Sequence, residues 1–298
     1  MRLRLLMATL GLILTCAPHA FGQVRPIVVR PLAVAPPAGA IPITMPDGTT
    51  VGDATGHLLL FFSSDATAAS QAAVRSAISA GGGQVVGELP GLQMLQVQVA
   101  DPSAMAGLMT TLQTMTGVFF VGPDMLVGAT AGACDTNSTV VGPIPGAGPT
   151  GWLQANGVGR GSAPASANDV VIGIIDEFAN AGQPARPDNA QHGDVVAAYA
   201  QDAGGRTASG TPLFELGRNL FEIPREPTIA LTLARMEAFI AANPGKKIVM
   251  NYSAGPVQCQ TRRAGYDPAV CTSTRNQFNK LLNSAMQRSV ATHGDRVI

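Results

Sequence analysis

The clearest pattern of apolar and polar positions lies between residues 57 and 127. Apolar runs and period-two stretches there predict strands, and apolar residues at helical spacing predict two helices between them. Asp101 and Pro102 are a typical helix start, and three consecutive glycines at 81–83 are typical of a helix end. The predicted strands are 57–62, 84–89, 92–99 and 117–121, and the helices are 66–80 and one beginning at Asp101. The order β-α-β-β-α-β predicts a small α+β, ferredoxin-like domain.

A second pattern begins at residue 169. Five apolar residues broken by Gly173 predict a buried strand that ends on Asp176 and Glu177. Further along, we predict strands at 213–220, 248–250 and from 295, and helices at 228–242 and 276–291, with Phe278, Leu281, Leu282, Ala285 and Met286 facing inward. This alternation is typical of an α/β domain with a mostly parallel sheet and flanking helices. Active sites on such sheets lie at the carboxyl ends of the strands, where Asp176 and Ser253 are expected.

The remaining segments are predicted to be targeting and linker sequence. Residues 1–22 combine a basic start, a short apolar run and small residues before Gln23, which predicts a signal peptide and a secreted or periplasmic protein. A lipoprotein signal using Cys16 is the less favoured alternative. Residues 23–56 are Pro-rich and residues 128–168 are rich in Gly, Pro and small residues, so both are predicted to be linkers.

Composition and charge exclude several classes of function. The 19 basic residues balance 19 acidic ones without a basic patch, so we expect no nucleic-acid partner. No apolar segment after residue 22 is long enough to predict a transmembrane helix. The glycines at 81–83 are not followed by a phosphate-binding helix, and the cysteines lack zinc-ligand spacing, so we expect neither cofactor nor metal.

The cysteines do suggest one crosslink. Cys259 and Cys271 flank a single polar loop and could form a disulfide in an exported protein. Cys134 is then unpaired or has a partner outside the chain.

Three stretches together resemble one family. These are VVIGIIDE at 170–177, HGDVVAA at 192–198 and KKIVMNYSAGP at 246–256. They resemble, in the same order, the Asp strand, the His helix start and the substrate-lining strand of subtilisin-like serine peptidases. The resemblance implies that 169–298 is part of a catalytic domain. It also implies that 57–127 is a propeptide, which acts as intramolecular chaperone and inhibitor in that family.

The resemblance assigns a role to five residues. Asp176 would orient His192, and His192 would be the general base of an Asp-His-Ser triad. Ser253, Ala254 and Gly255 would bind an extended polypeptide substrate as an added strand. The implied partners are therefore a polypeptide substrate and the chain's own propeptide.

The chain also departs from the family pattern. Glu177 stands where the family has Thr or Ser, and Asp194 stands where it has Thr. We interpret Glu177 as a solvated loop acid. The family's nucleophilic Ser and oxyanion Asn have no counterpart in the 298 residues, so we expect a truncated precursor that is inactive as this chain.

Two alternatives stay open. The first is a non-catalytic remnant whose 57–127 module binds a protease as inhibitor or chaperone. The second is an α/β-hydrolase in which Ser253 is the nucleophile, with Asp267 or Asp295 and His293 completing a triad. Pro256 and the polar residues after it argue against the helix that this second arrangement requires.

Overall fold

The structure is a computed structural model, described here for residues 34–36, 39–129, 170–178, 193, 196–197, 200, 214–259 and 266–297. The predicted signal peptide, Cys16, Cys134, His192 and Asp194 lie outside these residues, as does the predicted linker beyond Ala129. The described part is a mixed α/β structure with three sheets and four α-helices.

An antiparallel five-stranded sheet forms the N-terminal part. Its strands are β1 (Ile41–Thr44), β2 (Thr50–Phe62), β3 (Gly83–Leu89), β4 (Met94–Val99) and β5 (Val118–Met125), and its helices are α1 (Ala68–Ala80) and α2 (Met105–Gln113). Strand β2 is central, because it pairs with β4 on one side and with β5 on the other, while β1 pairs with its first residues. Strand β3 pairs with β4 at the edge. From β2 to β5 the elements follow the predicted order β-α-β-β-α-β.

The sheet extends into a range that we expected to be linker. β1 and the first part of β2 lie within residues 23–56 and are paired in register, for example Ile43 opposite Val51. We expected a linker there because residues 23–56 are rich in proline and show little periodicity. The backbone of this part of β2 is irregular: Asp53 and Gly56 have φ of 58° and 78°, and the pairing of β2 with β5 shifts register between Ala54 and Leu58.

Helices cover both faces of this sheet. Val97 points to the side of α1, where Ile78 packs. Its neighbour Gln96 points the opposite way, toward the start of α3 (Ile229–Ala242). On that side α3 and the long helix α4 (Pro268–His293) contribute Ile229, Phe278 and Leu281 to the same hydrophobic core as Leu58. The N-terminal sheet and these two helices therefore share one core.

Helix α4 is longer than predicted, and one of its residues predicted to face inward is exposed. It begins at Pro268 with Asp267 as its N-cap, and Phe278, Leu281 and Ala285 are buried as expected. Met286 is 53% exposed, so the prediction that it faces inward is wrong. No helix in the described ranges combines the length and the apolar character needed to cross a membrane.

The second sheet is parallel and has three strands. They are β7 (Val170–Asp176), β8 (Leu220–Pro224) and β9 (Lys247–Tyr252), in the order β8-β7-β9, and Val297 adds a parallel bridge beside Ile248. The strand predicted at 213–220 in fact begins at Leu220. The apolar run is buried as its pattern predicts, with Ile174 and Ile175 fully inaccessible to solvent.

A third, two-stranded sheet joins the two parts of the chain. Strand β6 (Val127–Ala129) follows β5 almost directly, and β10 (Ala254–Pro256) follows β9. They pair antiparallel, with Ala129 opposite Ala254, Gly128 opposite Gly255 and Val127 opposite Pro256.

Candidate functional site

Asp176 lies at the carboxyl end of the central parallel strand, as predicted. The residue is 2% exposed, and its Oδ1 accepts a hydrogen bond from the Glu177 N–H at 2.7 Å. Its backbone carbonyl accepts from the Arg225 N–H at 2.9 Å. The carboxylate is thus fixed where the ends of β7 and β8 meet, which is the usual place for a site on a parallel sheet.

Gly193 brings the second sequence motif to Asp176. The Gly193 N–H donates to the Glu177 carbonyl at 2.8 Å. A Cβ on Gly193 would lie 2.8 Å from the Asp176 Cβ and 2.5 Å from the Glu177 carbonyl oxygen, so only glycine fits there. His192 is outside the described residues, so the Asp176–His192 geometry is not described. Its immediate neighbour nevertheless lies against Asp176.

Ser253 lies beside the same strand end. Its N–H donates to the Ile175 carbonyl at 3.2 Å, which ties the start of β10 to the residue before Asp176. Its Oγ donates to Asn251 Oδ1 at 2.7 Å. Ser253 therefore lies next to the end of β7, and Ala254 and Gly255 continue from it as part of β10.

Strand β6 occupies a groove between two segments of the C-terminal part. On one side it pairs with β10, and on the other the Val127 N–H donates to the Pro227 carbonyl at 2.9 Å. The preceding residue, Leu126, forms an antiparallel bridge with Thr228. Because β6 runs antiparallel to β10, its last described residue, Ala129, lies opposite Ala254, the residue after Ser253. The groove thus holds an extended polypeptide on both edges by backbone hydrogen bonds.

Glu177 and Arg225 form an ion pair that the sequence analysis missed. Arg225 Nη2 donates to Glu177 Oε1, and Arg225 Nη1 donates to the Val127 carbonyl at 2.8 Å. The Arg225 side chain is 16% exposed and the Glu177 side chain is 37% exposed, so Glu177 is a partly solvated loop acid that also forms an ion pair. The two residues are 48 positions apart, and no local pattern relates them.

Asp124 is a second residue that sequence reasoning missed. It is fully buried, and its Oδ1 accepts from the Ala230 N–H at 3.0 Å in the first turn of α3. Gln96 donates to its other oxygen at 3.4 Å. Burial raises the pKa of Asp124 from 3.8 to about 7, although these hydrogen bonds favour the ionised form. The N-terminal sheet therefore supplies an acid that caps a helix of the C-terminal part.

Burial also raises the pKa of Tyr252, near the groove, and of Glu237, which contacts the end of α4 through His293. Tyr252, the last residue of β9, has its pKa raised by burial, and the Arg225 charge opposes this shift. His293 Nε2 lies 3.2 Å from both carboxylate oxygens of Glu237, and burial raises the Glu237 pKa against the effect of this partner. His293 is thus paired with Glu237, at the end of α4.

Ser253 is not followed by a helix. The chain continues into β10 and then a 3₁₀ turn at Val257–Cys259. A strand–turn–helix nucleophile elbow is therefore not the local structure around Ser253.

Cys259 and Cys271 form a disulfide, with Cα atoms 4.9 Å apart. It connects the 3₁₀ turn after β10 to the first turn of α4, where Cys271 is buried. The crosslink thereby fixes the segment that follows the groove.

Comparison with models of known protein families finds no match to this chain. Comparison with curated proteins finds no match either.

Proposed function

We propose that this chain is the N-terminal part of an exported subtilisin-like serine endopeptidase precursor. The observation that carries the proposal is the pairing of β6 with β10. The resemblance assigns Ser253, Ala254 and Gly255 to binding an extended polypeptide as an added strand, and β10 is paired in that way. The strand that pairs with it, β6, begins at Val127, the last residue of the segment that the resemblance assigns to the propeptide, and continues into the first two residues of the predicted linker.

Asp176 and His192 would supply the acid and base of the triad. In such a triad the Asp holds the imidazole in the correct tautomer and stabilises the imidazolium, while the His removes the proton of the nucleophilic Ser. The buried, hydrogen-bonded carboxylate of Asp176 and the contact of Gly193 with it support this assignment. The family's nucleophilic Ser and oxyanion Asn have no counterpart in the three stretches that resemble the family.

The N-terminal sheet would act as the propeptide of this enzyme. It shares a hydrophobic core with α3 and α4, caps α3 with Asp124 and places β6 in the groove. A segment held this way both excludes substrate and supports the fold around the groove. These are the two properties of an inhibitor that is also a chaperone.

Activity of the complete gene product tests the proposal. The coding sequence downstream of the Ile298 codon is read and expressed together with the 298 residues, and hydrolysis of a casein substrate is measured. We expect a downstream Ser motif and proteolysis that falls by about 10⁴-fold in Asp176→Asn. His192→Ala should lose activity to at least the same extent. Proteolysis that survives in both variants, or a downstream sequence without a Ser motif, would refute the assignment.

A second candidate function is a non-catalytic protease-binding module. The same β6–β10 pairing favours it, because it shows the strand that follows the N-terminal sheet held in a groove by main-chain bonds. The purified chain is added to a subtilisin-like protease, and inhibition is measured. Submicromolar inhibition by a chain whose downstream coding sequence has no Ser motif favours this candidate over the enzyme. Absence of inhibition at micromolar concentration removes it.

The third candidate, an α/β-hydrolase using Ser253, is tested with a fluorophosphonate probe on the 298-residue chain. We expect no labelling, because Ser253 Oγ is bonded to Asn251 and His293 is bonded to Glu237. Labelling that disappears in Ser253→Ala would establish this candidate instead.

A further inference from the structure

Arg225 connects three parts of the groove. Its backbone N–H donates to the Asp176 carbonyl at 2.9 Å, and its Nη1 donates to the Val127 carbonyl at 2.8 Å. Its Nη2 donates to Glu177 Oε1. Arg225 thus contacts Asp176 at the end of β7, the following residue Glu177, and strand β6 in the groove.

Glu177 fixes the direction of the Arg225 guanidinium. The guanidinium is planar and carries its donors in a rigid fork, so a carboxylate bound at one end determines where the other end points. Here the other end points at the carbonyl of β6. The ion pair lies partly buried beside the groove, where water screens it less than on an open surface.

Arg225 contacts the main chain of the bound strand and not a side chain. Its acceptor is the Val127 carbonyl, a group that every residue of an extended polypeptide presents. The Val127 N–H is taken by Pro227, so both polar backbone groups of this position are bound by the 225–227 segment. A strand of any sequence can be held at this position in the same way.

We propose that Arg225, oriented by Glu177, is the positioning residue that holds an extended polypeptide strand in the groove and couples its presence to Asp176. This inference rests on the proposed function, because it takes the groove as the substrate and propeptide site. It gives a role to Glu177, one of the residues at which the chain departs from the family pattern. The coupling runs through adjacent residues, since the Glu177 N–H also donates to Asp176 Oδ1.

A structural role alone would predict something different. If the ion pair only joined β7 to β8, its loss would loosen those strands and leave β6 as firmly bound as before. If Arg225 positions the strand, its loss must loosen β6 and β10 first. Backbone amide exchange distinguishes the two, because it reports local opening segment by segment.

The test is hydrogen exchange with mass spectrometry on the intact 298-residue chain. Arg225→Met removes both side-chain bonds and keeps most of the side chain's length, and Glu177→Gln removes only the charge that orients it. Arg235→Met is the matched control, because Arg235 forms a comparable, partly buried ion pair with Glu226. Arg235 lies on α3 and Glu226 lies just before it, and neither side chain bonds to β6 among the described residues.

We expect exchange in the peptide covering 126–129 to be about tenfold faster or more in Arg225→Met, the effect of losing a charge-assisted hydrogen bond. A smaller acceleration is expected in Glu177→Gln and none in Arg235→Met. The peptide covering 94–99, in the middle of the N-terminal sheet, should be unchanged in all three. If Arg225→Met also lowers the protection of 94–99, the experiment is repeated with Arg225→Lys. That variant must then show the same preferential loosening of 126–129.

Equal exchange of 126–129 in Arg225→Met and Arg235→Met overturns the inference, as does loosening confined to β7 and β8. The experiment involves no catalysis, so its outcome is independent of whether the gene product hydrolyses casein. A chain without protease activity can still show the loosening, and an active protease can fail to show it.

Discussion

The carboxylate of Asp124 accepts a hydrogen bond from the backbone N–H of Ala230 at 3.0 Å, across 106 residues of sequence. Asp124 lies near the end of β5, and Ala230 is in the first turn of α3. The first turn of a helix has unpaired N–H groups and a positive dipole end, so a carboxylate stabilises it. The same carboxylate is fully buried, and this burial makes the contact sensitive to pH.

The pH dependence of stability follows from the Asp124 pKa. It is raised from 3.8 to about 7 in the folded chain, so the folded state binds this proton more tightly than the unfolded state. The contribution of protonated Asp124 to the free energy of unfolding is therefore complete below pH 4. It is lost as the pH rises to about 7, and the loss is at most about 4 kcal/mol. Urea unfolding at pH 5 and pH 8 measures the upper part of this change, about 2–3 kcal/mol.

Asp124→Asn should abolish this part of the pH dependence, because an amide keeps an acceptor for Ala230 and does not titrate. Asp47→Asn is the control, since the pKa of exposed Asp47 is lowered and it is ionised in both states over this range. An Asp124→Asn variant with the wild-type slope between pH 5 and 8 would contradict the assignment.

Gly193→Ala should destabilise the Asp176 site. The added Cβ would meet the Glu177 carbonyl and the Asp176 Cβ at 2.5 and 2.8 Å, and neither is the end of a flexible side chain. We expect a loss of about 1–3 kcal/mol in the free energy of unfolding, measured by denaturant titration. Gly107→Ala is the control, because Gly107 is a helical glycine with open space around its Cβ position. That substitution should stabilise by about 0.5–1 kcal/mol. Equal effects at the two glycines would show that Gly193 does not pack against Asp176.

His293→Ala should leave a buried carboxylate without its partner. Glu237 and His293 side chains are only 14% and 18% exposed, and the imidazole lies near both Glu237 oxygens. We expect a loss of about 1–3 kcal/mol at pH 7. A double substitution His293→Ala and Glu237→Gln should recover part of this loss, because it removes the buried charge. A double variant no more stable than His293→Ala would exclude this explanation.

Removal of the disulfide should lower stability by about 2–4 kcal/mol. Cys259→Ser with Cys271→Ser is compared with the wild type with and without reductant, using the melting temperature. The reduced wild type and the double variant should melt at similar temperatures, below the oxidised wild type. An unchanged melting temperature would mean that the crosslink between β10 and α4 does not contribute to the stability of the chain.

Much of the fold could be predicted because its strands and helices show local patterns. The run that ends at Asp176 is uniformly apolar, and α3 has apolar residues at helical spacing up to Asn243. The beginning of β2 could not be predicted. Its backbone is held by α4, where Thr274 Oγ1 accepts from the Gly52 N–H across 222 residues.

The site was predictable only in part, for the same reason. Asp176 and the Ser253 segment stand at strand ends that the pattern identifies. The roles of Glu177 and Asp124 depend on partners 48 and 106 residues further along the chain. Neither residue lies in a periodic pattern that would predict a buried or paired side chain. The sequence therefore predicted only a solvated acid at Glu177 and no role for Asp124.

The contact between β2 and α4 also has a consequence for synthesis of the chain. Gly52 leaves the ribosome 222 residues before Thr274, the residue that binds its backbone N–H. At about 5–20 residues per second, that interval is on the order of 10–45 seconds. Until α3 has been made, one face of the N-terminal sheet has no helix to cover it, and until α4 follows that face is covered only in part. The nascent protein must stay shielded from aggregation over this time, until α4 emerges and closes the core.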